Sequence, residues 1–307
     1  MPNSPIERCL TMSIHRQLLA RPEYVLALSA LENATFARKT ARAARRDEVV
    51  TIPIVVHVVH NTPEQDIGQD QIDSQITVVN QDFRKANPDV VKVPQVWRDR
   101  VADARLEFKL ADADPRGNPT SGVVRRRTGV TEFGTDHEVK YADQGGSDAW
   151  PADRYLNVWV CQMRQALGYA TFPGSPAEID GVVIKYDAFG TTGTVEAPYD
   201  GGRTLTHEIG HWLNLRHIWG DDGDGCSGTD FVDDTPNQAG HNRGTPSYPR
   251  LSCGNGPDGD MFMNYMDYCD DASLIMFTLG QVERMDAALA GPRSTFLPQQ
   301  LRERLRA

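Results

Sequence analysis

Thr206-His207-Glu208-Ile209-Gly210-His211-Trp212-Leu213-Asn214-Leu215-Arg216-His217 is the stretch that decides how this 307-residue chain folds and what it does. His207 and His211 are four residues apart, so on a helix their imidazoles leave one face and aim at a common point. Glu208 lies beside the first of them, where a carboxylate can take a proton from a metal-polarised water. Two histidines leave a zinc site one protein ligand short. His217 supplies a third only if the helix stops first: at 3.6 residues per turn, position 217 would lie roughly 240° round the axis from position 211. Asn214 stands where that break is needed, and asparagine is the non-glycine residue that best tolerates the left-handed conformation of a helix end. Three of the chain's eight histidines fall within these eleven residues, at offsets that favour a metal centre over scattered core or surface histidines.

Outward from this motif the pattern alternates between strands and helices. The β-branched run Ile54-Val55-Val56-His57-Val58-Val59 reads as a buried strand, with Pro53 at its start where a missing N–H is tolerated. Ile72, Ile76, Val79 and Phe83 lie on one face of a helix that ends before Pro88. Leu106, Phe108 and Leu110 alternate with charged residues as in a half-buried strand, and further strands are expected at 123–127, 155–161, 168–172 and 182–186. Strands interleaved with a few helices predict an α+β arrangement, a mixed sheet with helices packed on it. Regular pattern then fades over 220–260, a segment with eight Asp and abundant Gly and Pro. A loop of that length inside a compact domain is functional or held by a crosslink or metal. Val282, Met285 and Leu289 mark a closing helix near 278–289.

Charge divides the chain unevenly. Residues 1–46 hold eight Lys/Arg and three acids, a net of +5, so the remainder of a chain of net charge −10 carries −15. Such a basic arm reads as a solvated tail or as an intramolecular partner of the acidic body. Residues 26–44 read as helix, and Arg45-Arg46 as a site for proteolytic removal. The acidic balance argues against a nucleic-acid-coating protein. The longest apolar run, 49–59, is about half the roughly 20 residues of a membrane helix and contains Pro53 and His57. Five cysteines are too few for a disulfide-built miniprotein, and their odd number leaves at least one unpaired or otherwise employed. The first residues, Met1 to Arg8, carry neither the basic nor the apolar segment of a secretory signal.

The pattern His-Glu-x-x-His-x-x-(Gly/Asn)-x-x-His resembles the metzincin zinc metalloproteases, most of which have glycine where this chain has Asn214. Together with Asp233-Asp234-Thr235-Pro236, Asn264-Tyr265-Met266-Asp267-Tyr268 and Arg8-Cys9, it makes nearly the whole chain similar to the pappalysin family, specifically its secreted, cytophagalysin-like bacterial and fungal members. The resemblance implies a metzincin-type α+β fold: a twisted mixed sheet with a backing helix and an active-site helix, and an irregular C-terminal subdomain. It implies a latency prosegment at 1–46 and a catalytic domain at 47–307, divided into an upper part (47–213) and a lower part (214–307). The activity implied is hydrolysis of peptide bonds in proteins by a zinc-activated water, with His207, His211 and His217 on zinc and Glu208 as general base.

By the same resemblance Met266 forms the Met-turn floor beneath the histidines, and Tyr268 stabilises the tetrahedral intermediate. Gly168, Tyr169 and Ala170 lie on an edge strand that pairs with extended substrate. Asp271 aligns with an acid that selects Arg or Lys just after the cleaved bond; a solvated turn Asp is its alternative. Cys226 and Cys253 match a family disulfide, whereas the later position of a second bridge is Ser273. Cys9 falls where latent relatives place a thiolate on zinc, although Leu10 stands where they commonly have glycine. Calcium is implied at Asp233, Asp234 and Thr235, which offer hard oxygen ligands. The implied partners are protein or peptide substrates and the chain's own prosegment, with no nucleic acid or membrane, and the implied location is extracellular. Cys161 reads as a small buried apolar residue, and Cys269 has no assigned role. The competing reading is a zinc-stabilised peptide-binding or adhesion module without turnover, which has no use for Glu208 and Tyr268.

Overall fold

The β-branched run at 54–59 forms the middle of the longest strand, and the rest of the sheet assembles around it. The computed structural model describes residues 6–41, 46–223 and 225–306. The described chain opens with a short strand, β1 (Glu7–Cys9), and two helices, α1 (Thr11–Leu18) and α2 (Pro22–Thr40). The central strand β2 (Val50–His60) leads into helix α3 (Gln69–Phe83), followed by β3 (Leu106–Leu110), β4 (Val123–Arg127), β5 (Leu156–Cys161), β6 (Ala166–Ala170) and β7 (Val182–Lys185). Helix α4 (Arg203–Trp212) carries the histidine motif. Between Trp212 and Leu279 the described residues form no α-helix or strand beyond one short helical turn at Asp271–Ser273, before α5 (Leu279–Ala290) and α6 (Gln299–Arg306) close the chain.

The sheet order is β1-β6-β7-β5-β2-β3, with β4 continuing beside β3 along the same edge of β2. All pairings are parallel except β6 with β7. Side chains alternate between faces along each strand. Ile54, Val56, Val58, Val158 and Val160 join the main core with α3, α4 and the lower segment, while Val59, Trp159, Cys161 and Val183 join a second cluster on the opposite face. Ile14, Leu18 and Tyr24 from α1 and α2 complete that second cluster, so the N-terminal segment is part of the packed structure and not a solvated tail.

Several boundaries differ from those expected. Helix α2 begins at Pro22, a residue suited to the first helical position, four residues before the expected start, and ends at Thr40. Residues 42–45, including Arg45 of the expected cleavage dipeptide, lie outside the described residues. Arg46, the other residue of that dipeptide, is buried: it pairs with Asp286 at 3.1 Å, and its Nη2 and Nη1 donate to the carbonyls of Ala104 and Arg105 at 2.6 Å each. The strand expected at 168–172 is shifted to 166–170, because Thr171 turns its hydroxyl to accept from the N–H of Gly181 at 3.0 Å.

A buried polar network fixes α4 against the backing helix and the lower segment. Asp82 on α3 accepts from Thr206 Oγ1 at 2.6 Å and from Tyr265 OH at 2.9 Å, and it pairs with Arg203. Arg203 also reaches Asp89 at 3.1 Å. In the lower segment, Asp267 accepts from Gln238 Nε2 and from the backbone and side-chain N–H groups of Asn242 at 2.8–3.0 Å. The disulfide Cys226–Cys253 closes the Asp-rich loop. Cys9, Cys161 and Cys269 are free and buried, the last in the main core.

Candidate active site

Helix α4 ends as its sequence requires. Asn214 has φ 76°, its N–H donates to the carbonyl of His211 at 2.9 Å, and Leu215 N–H donates back to Gly210 at 2.9 Å. This left-handed closure reverses the chain and returns His217 to the face that carries His207 and His211. Gly210 is needed on the way, since a Cβ there would lie 2.5 Å from the Met266 sulfur. The backbone of the helix therefore rests directly on Met266, beneath the histidines.

The three imidazoles converge through Nε2, with separations of 3.1, 3.1 and 3.3 Å. Each Nδ1 faces an acceptor: the carbonyl of Tyr265 at 2.7 Å for His207, the carbonyl of Leu215 at 2.8 Å for His211, and Asp221 Oδ1 at 2.6 Å for His217. Carbonyl oxygens only accept, so Nδ1 carries the proton on His207 and His211, and the Asp221 carboxylate selects the same tautomer on His217. Nε2 is thereby left as a lone pair on His207 and His211, and on His217 in this tautomer. Burial, then the neighbouring His217, holds His207 and His211 well below the usual imidazole range, so both are neutral. Three inward lone pairs repel one another unless a cation sits between them. The separations match the edge of about 3.3 Å of a tetrahedron with metal–nitrogen bonds of about 2.0–2.1 Å. The donor set thus fits zinc, and Cys9 Sγ joins it: the four ligand atoms lie within 4.8 Å of one another.

Residues 8–11 touch Glu208, Tyr268, Asp271 and the edge of β6. Glu208 is fully buried, and its Oε2 accepts from Thr11 Oγ1 at 2.8 Å; Oε1 has no hydrogen-bond partner among the described residues. Burial pushes this carboxyl up to about 8. Gly168 leaves room for it, since a Cβ there would lie 3.0 Å from Glu208 Cγ. The Thr11 hydroxyl also accepts from the N–H of Ala170 at 2.7 Å. Tyr268 donates its phenol to the carbonyl of Cys9 at 3.1 Å, with its ring centroid 4.9 Å from that of His217. Asp271 is 2% exposed, which removes the solvated-turn alternative; it receives Arg8 Nη2 at 2.6 Å and the N–H groups of Gly201 and Arg203 at 3.0 and 3.1 Å.

Strand β1 occupies the outer edge of β6, with Cys9 opposite Gly168 and Leu10 N–H donating to the Gly168 carbonyl at 3.0 Å. Only the backbone of Gly168, Tyr169 and Ala170 faces this edge partner, because the Tyr169 side chain is buried in the second core cluster.

The residues expected to hold calcium each have a protein partner. Asp233 pairs with Lys39 at 2.6 Å in solvent, Asp234 accepts from Thr278 Oγ1 and Gly280 N–H at the start of α5, and Thr235 donates to Asp230 at 2.7 Å. Sequence reasoning missed Thr11, Asp221 and Tyr199, whose ring lies under the Arg8 guanidinium at 5.1 Å. Asp221 had a local signal, four residues after His217. Thr11 and Tyr199 had none.

Comparison with known proteins finds relatives in sequence and in structure. A family model described as pregnancy-associated plasma protein-A matches residues 140–290. An extracellular metalloprotease of Arthroderma benhamiae is 30% identical over 280 residues, covering 87% of this chain and 81% of the relative. Another, from Pyricularia oryzae, is 32% identical over 279 residues, covering 86% and 83%. Mature mirolysin of Tannerella forsythia in complex with a cleaved peptide is similar with a TM-score of 0.80 and 49% identity, covering 82% of this chain and 96% of that one. A promirolysin mutant from the same organism reaches a TM-score of 0.86 at 44% identity, covering 94% and 97%. The precursor therefore matches 94% of the 307 residues against 82% for the mature form, a difference of about 37 residues. Likeness in sequence and in fold runs over most of the chain, which belongs to the pappalysin family of metalloendopeptidases.

Proposed function

We propose that this chain is a secreted zinc endopeptidase held latent by its own N-terminal segment, with His207, His211 and His217 as metal ligands and Glu208 as general base. The observation that carries the reading is the convergence of three Nε2 lone pairs within 3.3 Å beside a carboxylate with one unpartnered oxygen. Bound there, zinc supplies Lewis acidity toward a peptide carbonyl and acidifies water. Glu208 holds the proton taken from the attacking water and passes it to the leaving amine. Tyr268, once the Cys9 carbonyl departs, donates its phenol to the oxyanion that develops on the substrate. The edge of β6 offers its backbone to an extended substrate once β1 leaves.

Latency in this reading is distributed over four residues. Arg8 fills the acceptor at Asp271, Cys9 presents its thiol to the histidines and its carbonyl to Tyr268, Leu10 pairs with Gly168, and Thr11 engages the base. The prosegment in this reading spans 1–46 and the catalytic domain 47–307. Arg8 at Asp271 supports a preference for Arg or Lys after the cleaved bond. An extracellular location is supported by the relatives named extracellular metalloproteases and by the Cys226–Cys253 disulfide, a bond that persists in oxidising compartments. A structural calcium at 233–235 is tested by a fall in unfolding temperature on adding a calcium-selective chelator to the zinc-loaded chain.

A peptide-library digest read by mass spectrometry tests the function. The expected result is cleavage on the N-terminal side of Arg or Lys. Binding of peptides without any new termini would replace the enzyme with a peptide-binding module, and cuts without basic preference would remove the role given to Asp271.

A further inference from the structure

The carboxylate that receives Arg8 can tell a cation from a neutral side chain, but it is badly placed to tell one cation from another. Asp271 Oδ2 is occupied by the N–H groups of Gly201 and Arg203, so only Oδ1 is left for the guest. The two-pronged bond that lets a carboxylate recognise the guanidinium fork is therefore unavailable. Among the described residues Arg8 makes one charged hydrogen bond, Nη2 to Oδ1 at 2.6 Å, and its Nε and Nη1 have no acceptor. The guanidinium is nevertheless buried to 1% exposure.

The remaining specific contact is a ring. Arg8 Cζ lies 5.1 Å from the centroid of Tyr199. Tyr199 sits on the loop that Asp271 clasps: Asp271 N–H donates to the carbonyl of Pro198 at 3.2 Å, and its carboxylate takes Gly201 and Arg203 on the other side. Ring and carboxylate are thus set relative to each other by one short segment. A planar, weakly hydrated guanidinium stacks on an aromatic face, whereas a compact ammonium holds its water tightly and has no plane to lay on the ring.

We infer that Tyr199 is a specificity-determining residue that makes the pocket at Asp271 choose arginine over lysine, with Arg8 as the built-in image of the substrate side chain. The inference rests on the reading of Asp271 as acceptor for a basic side chain after the cleaved bond. Asp271 sets the charge of the accepted residue, and Tyr199 sets its shape.

The test uses the zinc-loaded chain after release of its N-terminal segment, which empties the pocket, and paired peptides identical except for Arg or Lys after the scissile bond. The expected ratio of kcat/KM, Arg over Lys, is about threefold to thirtyfold, the range of a cation–ring contact from exposed to desolvated. Tyr199→Leu should bring the ratio below about twofold, and Tyr199→Phe, which keeps the ring, should preserve it. An unchanged ratio in Tyr199→Leu, or equal loss in Tyr199→Phe, overturns the inference while leaving the basic preference intact. Absence of any preference for Arg or Lys over Met overturns the reading of Asp271 itself, and this inference with it. A second readout needs no turnover: in the otherwise native chain, Arg8→Lys should speed amide exchange of Leu10 by about threefold or more, and by less than twofold once Tyr199→Leu is present. Equal acceleration in both backgrounds would also refute a role for the ring.

Discussion

Replacing Thr11 with valine separates distributed latency from a switch that depends on one thiol. Valine keeps the shape of threonine and removes only the hydroxyl. That hydroxyl donates to Glu208 Oε2 at 2.8 Å and accepts from Ala170 N–H at 2.7 Å, and both partners are buried. Above pH 8, where the Glu208 carboxyl is ionised, a hydrogen bond to it contributes about 1.5–3 kcal/mol, and the neutral one to Ala170 about 1 kcal/mol. The substitution should therefore raise the free energy of the closed arrangement by about 2.5–4 kcal/mol, which multiplies the open population by a factor on the order of 10²–10³. The assay is amide exchange at Leu10, whose N–H donates to Gly168 at 3.0 Å and is not itself altered by the substitution. Hydrolysis of a fluorogenic peptide by the intact full-length chain should rise in parallel. Leu10 exchange within threefold of the unmodified chain, alongside full activation by Cys9→Ala alone, would refute the idea that residues other than Cys9 hold the segment down.

Three further outcomes follow from particular side chains. His57 is buried between Ser147 Oγ at 2.9 Å and Asn157 Oδ1 at 3.0 Å, and burial pushes its pKa down to about 4. Its neutral form belongs to the fold, so the stability it contributes is complete above the unfolded value of about 6.5 and is lost as pH falls from there toward 4. Urea unfolding of the metal-free chain should show about 2.5 kcal/mol more loss between pH 7 and pH 4.5 than His57→Gln does; identical pH slopes would assign the effect elsewhere. Asp221→Asn weakens the acceptor on His217 Nδ1 and should lower zinc affinity by about 10- to 100-fold in a chelator competition. Cys226→Ser with Cys253→Ser reopens the Asp-rich loop and should cost on the order of 3 kcal/mol in denaturant unfolding, against no change if that loop is already compact when the chain is unfolded.

How much of the site was legible depended on how local its causes are. The histidine spacing, the left-handed break at Asn214 and the strand at 54–59 each follow from a dozen residues or fewer, and the structure places all of them as expected. Strand β1 is three residues long and exists only because β6, nearly 160 residues away, presents an open edge, so it carries no periodic signal of its own. Thr11 and Tyr199 acquire their contacts in the same way, through tertiary placement of Cys9 and Arg8. The Asp82–Arg203–Tyr265 network joins three distant segments and was invisible for that reason. Net charge proved a coarse guide: Arg8–Asp271 and Lys39–Asp233 match a basic arm on an acidic body, but Glu32–Arg284 and Glu7–Arg243 run the other way. Burial and geometry at single pairs, not the +5 against −15, decide how the segment docks.

The most direct test of the catalytic assignment is Glu208→Ala in the zinc-loaded chain after release of its N-terminal segment, with metal content and cleavage of casein measured on the same sample. Zinc should remain near one per chain, because Glu208 is not among the converging ligand atoms, while cleavage falls by about 10³-fold or more, the loss expected when both proton transfers lack their carrier. Cleavage within tenfold of the unmodified chain, with zinc still bound, would contradict the role given to Glu208.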